Sequence, residues 1–236
     1  MPTRPEECRF CGPSVLTEVE NAPEGWWFRC TKCGSYLNAD VADSPTFYGG
    51  GYYTRRDHLH NWFDGQASLE NMRAQLYLNR KWPWRVPWLL RVIRRAGMRS
   101  TESVVDWGCG YHGMYVDLLR VYGFRAEGYD PYSSQFSTKP EGEFDWMFTR
   151  YSLEHMADPV EALLSVRARK SVHVLPLADA PAMMMQTHIN LCPSHHFVPS
   201  LSVAIDLLGE GGWMVQDWWL DDNREGAIFV CKRWNL

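Results

Sequence analysis

Two pairs of cysteines near the start of the chain have the spacing of a metal site. Cys8 and Cys11 bracket one C-x-x-C motif, Cys30 and Cys33 bracket a second, and a glycine follows each motif. Each pair can turn two thiolates toward one tetrahedral ion, and glycine permits the tight turn beneath it. The spacing predicts a zinc ribbon, with a redox pair or unrelated free thiols as the alternative. The zinc would be structural, because four thiolates leave no coordination position for water or a substrate.

A second group of residues has the pattern of a nucleoside-binding loop. After the apolar pair Val-Val, the run V-D-W-G-C-G-Y-H-G supplies one acid and three glycines: Asp106, Gly108, Gly110 and Gly113. Glycines let the backbone approach a ligand closely, and a helix that begins here offers free N–H groups. About two dozen residues later Asp130 ends a second apolar segment. A carboxylate there can accept hydrogen bonds from both hydroxyls of a ribose, so the pattern predicts a nucleotide-like cofactor.

Candidate proton acceptors follow later in the chain. Glu154 and His155 come directly after an apolar segment at residues 144–148, and His195 and His196 lie about 40 positions further on. A histidine at the end of that segment could take the proton of a hydroxyl group. The alternative is that Glu154 and His155 only cap the helix that follows. The sequence leaves open which of the three histidines is the base.

The elements that must position these residues alternate between strand and helix. Apolar periodicity predicts a strand, helix, strand and further strand at residues 103–106, 114–122, 124–129 and 144–148. A helix at 159–168, a strand at 170–175, a helix at 201–208 and two closing strands at 213–219 and 227–234 follow. This order predicts an α/β fold, a doubly wound Rossmann-like sheet with a terminal antiparallel hairpin. Residues 131–143 contain no convincing third strand, so we expect a sheet shortened at that edge and assign no adenine contact.

Length and composition restrict the function further. A chain of 236 residues can hold one sizeable core and a small appendage. The formal net charge of −4 argues against broad, non-specific nucleic-acid binding. There is no signal-peptide pattern and no apolar stretch of about 18 residues, and paired cysteines suit a reducing compartment. We therefore expect a cytoplasmic protein with no membrane partner.

The segment before the nucleotide-like loop is basic and aromatic. Eight Lys and Arg side chains and no acid occur between Met72 and Arg99, with Trp82, Trp84 and Trp88 among them. Such a surface could hold a phosphate-bearing acceptor, such as a nucleotide sugar, or a nucleic acid. The alternative is a solvated helix face whose tryptophans pack between domains.

The V-D-W-G-C-G run resembles the first motif of the class I S-adenosylmethionine (SAM)-dependent methyltransferases, and F-D followed by L-E-H and D-P resembles a later segment of that family. The resemblance implies that the loop holds the methionine part of SAM and that the acid ending the second strand holds the ribose. The third glycine departs from the family pattern, because His112 occupies its more usual place. The expected cofactor-binding residues are Asp106, Gly108, Cys109, Gly110, Gly113, Asp130, Pro131 and Arg150.

The cysteine pairs and the tyrosine-rich segment after them resemble the zinc-binding N-terminal piece of some bacterial sugar and natural-product methyltransferases. That group methylates a sugar carbon or oxygen, often on a nucleotide-linked sugar or a glycan. This chain is shorter than the sugar C-methyltransferases, which favours O-methylation by direct displacement. In such enzymes the insertion after the fifth strand, here residues 176–199, commonly shapes the acceptor pocket.

The expected organisation is a zinc-ribbon-like domain at residues 1–45, a linker and helical cap at 46–100, and a SAM-binding domain at 101–236. Two other functions remain open at this stage. One is a nucleic-acid methyltransferase that uses the ribbon and the arginine-rich helices, although the chain lacks the N/D-P-P-Y motif of enzymes that methylate base amino groups. The other is an NAD-dependent oxidoreductase.

Overall fold

The computed structural model describes residues 4–20, 22, 25–41, 85–110, 113–181, 183, 191–222 and 224–234. The part of the expected linker and helical cap (46–100) that precedes residue 85 lies outside the described residues. The undescribed part includes the basic residues Arg73, Arg80 and Lys81 and the tryptophans Trp82 and Trp84. His112 is also outside the described residues.

The described chain contains ten strands and four α-helices. The strands are β1 (Leu16–Glu18), β2 (Trp27–Cys30), β3 (Tyr36–Asn38), β4 (Ser103–Trp107), β5 (Arg125–Tyr129), β6 (Phe144–Arg150), β7 (Ala168–Pro176), β8 (Phe197–Val198), β9 (Trp213–Leu220) and β10 (Gly226–Arg233). The helices are α1 (Arg85–Ala96), α2 (Met114–Val121), α3 (Pro159–Ser165) and α4 (Leu201–Glu210). A short 3-10 helix spans Leu153–His155.

Six strands form the central sheet in the order β5-β4-β6-β7-β10-β9. The pairs among β5, β4, β6 and β7 are parallel, whereas β10 runs antiparallel to both β7 and β9. Strands β4, β6 and β7 are almost wholly buried, as expected for the centre of a sheet covered on both faces. This topology confirms the predicted α/β fold and its antiparallel terminal hairpin.

The sheet is short at the β5 edge, as the sequence predicts. β5 is the edge strand, and the described residues 131–143 form turns and bends. Most predicted boundaries differ from the structure by one or two residues, and the end of α3 differs by three. Helix α3 ends at Ser165 rather than residue 168, because β7 begins at Ala168 beside Phe144 and the Phe144 N–H donates to the Arg167 carbonyl at 2.9 Å.

The ribbon forms a second sheet that includes a strand from the far end of the chain. Its order is β1-β2-β3-β8, and Leu37 of β3 pairs with Phe197 of β8. Neither β3 nor β8 is predicted by the sequence pattern, because both are too short for a periodic signal. Leu37 and Phe197 are both buried and share a core cluster with Leu207 of α4. The ribbon sheet therefore extends across the boundary expected at residue 45.

Helix α1 packs against the terminal hairpin through its basic face. The Trp88 indole is buried and its Nε1 donates to Asp221 at 2.6 Å. Arg91 pairs with Asp222, and Arg95 pairs with Asp217 at 3.0 Å. Part of the basic stretch is thus neutralised within the chain. Within the described ranges, no helix is long and apolar enough to cross a membrane.

Candidate cofactor and acceptor site

The glycine loop begins where β4 ends and contacts the segment that follows β6. Gly108 has a φ of 79°, and a Cβ built there would lie 2.5 Å from Cβ of Ser152. Ser152 Oγ donates to the Trp107 carbonyl at 3.1 Å. Only glycine fits this close approach at a positive φ. The contact places the end of β6 directly beside the loop, at the edge where ligands of such sheets bind.

Asp130 fixes the loop to the end of β5. Its Oδ2 accepts from the Gly110 N–H at 2.9 Å and its Oδ1 accepts from the Tyr132 N–H at 2.9 Å. Burial raises the pKa of Asp130, and these two backbone hydrogen bonds oppose the rise. Each carboxylate oxygen has a second lone pair, so the group can still accept hydrogen bonds from ribose hydroxyls.

Two other residues of the predicted cofactor set, Gly113 and Cys109, pack closely against neighbouring residues, whereas Pro131 lies at the surface. Gly113 precedes α2, and a Cβ there would lie 2.4 Å from the Phe136 ring. Cys109 points toward β5, since a Cβ added at Gly128 would lie 2.9 Å from its Sγ. Burial and the charges of Asp106 and Asp130 raise the pKa of this thiol. Pro131 is exposed at the start of the turn after β5.

Gly110 is the point at which the loop is open. Its φ is 73°, and a Cβ built there would meet no described atom within 4 Å. None of the described residues fills the space in front of Gly110, and Asp130 accepts a hydrogen bond from the Gly110 N–H beside it. This is the geometry expected of a cradle in which the backbone approaches a ligand.

Asp106 and Arg150 lie beneath the loop in a low-dielectric setting. Asp106 is 2% exposed, and its Oδ2 makes no hydrogen bond to any described residue. Burial and the nearby charge of Asp130 raise the pKa of Asp106 to about 8, and Arg150 opposes the shift. The Arg150 guanidinium lies over the rings of Trp88, Tyr115 and Tyr151 at 4.8–5.3 Å. A buried carboxyl group with one oxygen that bonds to no described residue suits a cationic ligand, and SAM carries a sulfonium and an ammonium group.

Three predicted proton-transfer residues come together at the end of β6. A carboxylate oxygen of Glu154 and one ring nitrogen each of His155 and His195 all lie within 4.8 Å of one another. Atoms of these types can act as metal ligands. The rings of His155 and His195 are 4.3 Å apart and meet edge to face. His155 and Glu154 belong to the 3-10 helix after β6, whereas His195 lies just before β8.

Glu154 is the most deeply buried member of this cluster. It is 0% exposed, and neither carboxylate oxygen hydrogen-bonds to a described residue. Burial raises its pKa to about 8, opposed by its own backbone N–H and by Arg150. An unpartnered carboxyl group at this depth costs stability, and this arrangement is typical of a site that binds a ligand or takes part in chemistry.

His196, the fourth predicted catalytic residue, lies outside the cluster. Its backbone N–H donates to the Glu154 carbonyl at 2.8 Å, and its own carbonyl accepts from the Asn38 N–H at 3.1 Å. Burial and the charge of Arg9 lower the pKa of its side chain. The contacts of His196 with its neighbours hold the loop that carries His195 in place.

The four ribbon cysteines have the geometry of a tetrahedral site. Their sulfur atoms all lie within 4.8 Å of one another, with Cys8 to Cys33 at 3.8 Å and Cys11 to Cys30 at 3.6 Å. Thiolates bound at 2.3 Å to one tetrahedral zinc ion are about 3.8 Å apart. Burial opposes ionisation of Cys30, but hydrogen bonds from Ser14 and from the Cys33 and Lys32 amides outweigh it and lower its pKa to about 6.

Sequence reasoning missed three residues that position the site. Tyr151 has a φ of 48°, which is uncommon outside glycine and concentrates at functional sites. Its hydroxyl donates to Asp221 at 3.0 Å, and Asp221 also accepts from Trp88. Asn38 holds the His195 loop from the ribbon side. Nothing in a single sequence shows these long-range contacts.

Comparisons with known proteins agree with this geometry. A family model described as a methyltransferase domain matches residues 78–227, which is more than half of the chain. No curated protein sequence matches the chain.

Among solved structures, the chain is similar to magnesium protoporphyrin IX methyltransferase (ChlM) from Synechocystis PCC 6803 with bound S-adenosylhomocysteine (SAH). The identity is 16%, the TM-score is 0.51, and the match covers 80% of this chain and 97% of that one. The same enzyme with bound SAM gives 16% identity and a TM-score of 0.50, covering 84% and 100%. The family match replaces the oxidoreductase alternative: the chain belongs to the methyltransferase domain family and is a SAM-dependent methyltransferase.

Proposed function

We propose that this enzyme transfers the methyl group of SAM to a hydroxyl oxygen of a small molecule, in its most specific form a sugar that is nucleotide-linked or part of a glycan. The single observation that supports an oxygen acceptor best is the convergence of Glu154, His155 and His195 beside the cofactor loop. A hydroxyl must lose a proton as it becomes an ether, and imidazole groups are the side chains best suited to accept one near neutral pH.

The residues of the cradle have distinct tasks in this proposal. Asp130 accepts hydrogen bonds from the ribose hydroxyls while it holds the Gly110 amide. Asp106 compensates the positive charge of the bound cofactor, and the charge of Arg150 favours the ionised forms of Asp106 and Glu154 because it lowers the pKa of both groups. SAM supplies an electrophilic methyl group on sulfur. The chain then contributes alignment of the acceptor oxygen with the methyl carbon and sulfur, and a base.

The atoms and charges balance without a further reactant. A carbon–oxygen bond forms as the carbon–sulfur bond breaks, and sulfur keeps the electron pair. The hydroxyl proton passes to an imidazole of the cluster and from there to solvent. His155 is the first candidate, because its Nδ1 lies 3.3 Å from the Ser194 carbonyl and the opposite nitrogen is then the basic one.

The pairing of arginines on helix α1 with aspartates favours a small-molecule acceptor over a nucleic acid. Arg91 and Arg95 are paired with Asp222 and Asp217, and so contribute little to a phosphate-binding surface. The structural neighbour from Synechocystis is named for a small-molecule acceptor, magnesium protoporphyrin IX. A saccharide acceptor rests on the resemblance of the N-terminal cysteine motifs to those of sugar methyltransferases.

The zinc ribbon belongs to the same proposal. The sulfur–sulfur distances of 3.8 and 3.6 Å suit one Zn²⁺ held by Cys8, Cys11, Cys30 and Cys33. About 35 residues cannot build a stable core alone, so the ion would supply folding free energy. Its role is structural, since four thiolates complete its coordination.

The test is calorimetric titration with S-adenosylhomocysteine followed by an acceptor screen. Micromolar binding is expected for the wild-type chain, and Asp130→Asn should weaken it by about 100-fold, because charge-assisted hydrogen bonds of about 1.5–3 kcal/mol each are lost. Asp117→Asn, a carboxylate on α2 paired with Arg120, is the matched control and should bind normally.

The acceptor screen measures methyl transfer from SAM to nucleotide sugars, free glycans and single-stranded oligonucleotides. Transfer to a saccharide hydroxyl is the expected result. Transfer to oligonucleotides alone would overturn the small-molecule proposal, and normal binding by Asp130→Asn would overturn the cofactor assignment of that residue.

A further inference from the structure

The side chains that cluster at the end of β6 are of types that can bind a metal ion as well as accept a proton. We infer that Glu154, His155 and His195 bind a divalent transition-metal ion beside the methyl donor. The three groups belong to two separate segments of the chain, the 3-10 helix after β6 and the loop before β8, and their ligand-type atoms lie within 4.8 Å of one another.

Glu154 is the first observation that favours an ion. Its carboxyl group is 0% exposed and both oxygens are without a hydrogen-bond partner among the described residues. A buried carboxylate is ordinarily paired with a cation or coordinated to a metal. The Arg150 guanidinium is stacked on Trp88 and Tyr115 at 5.0 and 5.3 Å, and it makes no hydrogen bond to either Glu154 oxygen.

The hydrogen bond of His155 is the second observation. Its Nδ1 lies 3.3 Å from the Ser194 carbonyl oxygen, which can only accept. Nδ1 must therefore carry the proton, which leaves Nε2 with the lone pair. A metal-binding imidazole usually donates its other N–H to a carbonyl or carboxylate in this way, because the bond fixes both the tautomer and the ring orientation.

The two segments are joined before any ion binds. The His196 N–H donates to the Glu154 carbonyl at 2.8 Å, which links the loop to the 3-10 helix. The Asn38 side chain donates to the carbonyls of Pro193 and His195 at 3.2 and 3.1 Å. Zinc ligands bound at about 2.1 Å are about 3.4 Å apart. Because the ligand atoms already lie within 4.8 Å of one another, each separation needs to shorten by at most about 1.4 Å.

The donor set indicates the class of metal. Two imidazole nitrogens and one carboxylate oxygen suit Zn²⁺, Fe²⁺, Co²⁺ or Ni²⁺ better than Ca²⁺ or Mg²⁺, which prefer oxygen ligands. Three protein ligands leave coordination positions open, as in catalytic sites, in contrast to the closed four-thiolate ribbon.

The consequence for the reaction rests on the proposed function. An acceptor with two neighbouring oxygens, as in the vicinal diols of sugars, fits the open positions. The positive ion lowers the pKa of the acceptor hydroxyl, so its proton leaves to solvent before or during formation of the carbon–oxygen bond. In this form the imidazoles act as ligands, and the base of the proposed function is replaced by the ion.

The experiment is a Co²⁺ titration of the full-length chain after metal removal, followed by absorption spectroscopy. Two equivalents per chain are expected. Binding at the cysteines gives an intense sulfur-to-cobalt charge-transfer band, whereas binding at the nitrogen–oxygen site adds d–d absorption without further charge-transfer intensity. His195→Gln and Glu154→Gln should each lose the second equivalent alone.

His196→Gln is the matched control, because its backbone hydrogen bonds remain and its side chain lies outside the cluster; it should keep both equivalents. Retained SAH binding by each variant shows that it is folded. A single, purely thiolate-type equivalent in the wild type, or a second equivalent unchanged in both cluster variants, overturns the inference. If methyl transfer to a hydroxyl proceeds with one equivalent only, the metal site fails while the proposed function stands. Binding of two Co²⁺ equivalents without any binding of SAH would support the metal site and contradict the proposed function.

Discussion

The side chain of Asn38, in the last strand of the ribbon, donates from Nδ2 to the backbone carbonyl of His195 at 3.1 Å. A second bond reaches the Pro193 carbonyl at 3.2 Å. The two residues are far apart in sequence, and the bond joins the cysteine-rich segment to the candidate acceptor site. The ribbon therefore forms part of the support for His195.

Replacing Asn38 should impair methyl transfer more than cofactor binding. Asn38→Asp keeps the size of the side chain but removes both donated bonds, each with a net contribution of about 0.5–1.5 kcal/mol. We expect kcat to fall roughly tenfold, because one RT ln 10 step is about 1.4 kcal/mol, while SAH affinity stays within twofold. Steady-state kinetics and calorimetry measure the two effects.

Thr31→Ala is the matched control for this variant. Thr31 is exposed on the ribbon, and its hydroxyl donates to the Val15 carbonyl at 3.0 Å, away from His195. Its kinetics should equal those of the wild type. Equal effects of Asn38→Asp on kcat and on SAH affinity would show that Asn38 acts on general stability rather than on the His195 loop.

Loss of one ribbon thiolate should lower thermal stability strongly. Cys11→Ser leaves three thiolates, so most of the folding free energy that the proposed zinc ion would supply is lost. A loss of about 4 kcal/mol corresponds to a decrease in Tm of ~10 °C for a chain of this size. Cys192→Ser, at a half-buried cysteine outside the thiolate cluster, should shift Tm by less than 2 °C. Calorimetric scans compare them, and equal Tm values for the two variants would contradict a metal at the cysteines.

A methyl group added at Gly110 should block binding of the cofactor. The Cβ of Gly110→Ala would point into the open space of the cradle at a φ of 73°. We expect SAH affinity to fall at least 30-fold, because the backbone can no longer approach the ligand. Titration calorimetry gives the affinity directly.

Gly97 offers an unusually close control for Gly110. Its φ is 71°, and a Cβ there also meets no described atom within 4 Å. Gly97→Ala carries the same backbone strain of roughly 1 kcal/mol, so both variants should lose similar stability. If Gly97→Ala weakened SAH binding to the same extent, strain rather than occupation of the cradle would explain the result.

The buried carboxyl group of Asp106 predicts a pH-dependent stability. Its pKa is raised from 3.8 to about 8 in the folded chain. Below pH 3.8 Asp106 is protonated in both the folded and the unfolded state, so its shifted pKa does not lower the free energy of unfolding. Between these two pKa values the unfolded state has lost the proton and the folded state has kept it, so stability falls as pH rises.

Asp106→Asn should therefore stabilise the ligand-free chain, and the gain should grow by about 1.4 kcal/mol per pH unit between pH 5 and pH 8. Above pH 8 the difference becomes constant. Denaturant unfolding at several pH values measures it. A gain that does not depend on pH would mean that Asp106 is ionised throughout in the folded state.

Most of the candidate cofactor site could be predicted from the sequence, because its residues are close together in the chain. Asp106 and the loop glycines are adjacent in the chain, and Asp130 follows after one helix and one strand, so spacing alone relates them to one sheet edge. The four cysteines can likewise be recognised in the sequence, because they form two short C-x-x-C motifs. Their sulfur atoms lie together in the structure.

The acceptor side could be predicted only in part, because it depends on contacts between distant segments. His155 and His195 are recognisable as chemical groups, but nothing in their spacing shows that they meet. Their meeting depends on β8, whose two residues give no periodic signal, and on Asn38, which belongs to none of the motifs in the sequence. The positive φ of Tyr151 is also invisible in sequence, because tyrosine has no preference for it.

The pairing of β3 with β8 joins Leu37 to Phe197 across 160 positions of the chain. During synthesis the cysteine motifs leave the ribosome early, but the edge of β3 has no partner strand until the last quarter of the chain emerges. At about 5–20 residues per second this interval is on the order of ten seconds. For that time the nascent ribbon exposes an open strand edge and the apolar Leu37, which makes it a target for chaperones and a starting point for aggregation. A chain that stops before residue 197 would keep that exposed edge permanently.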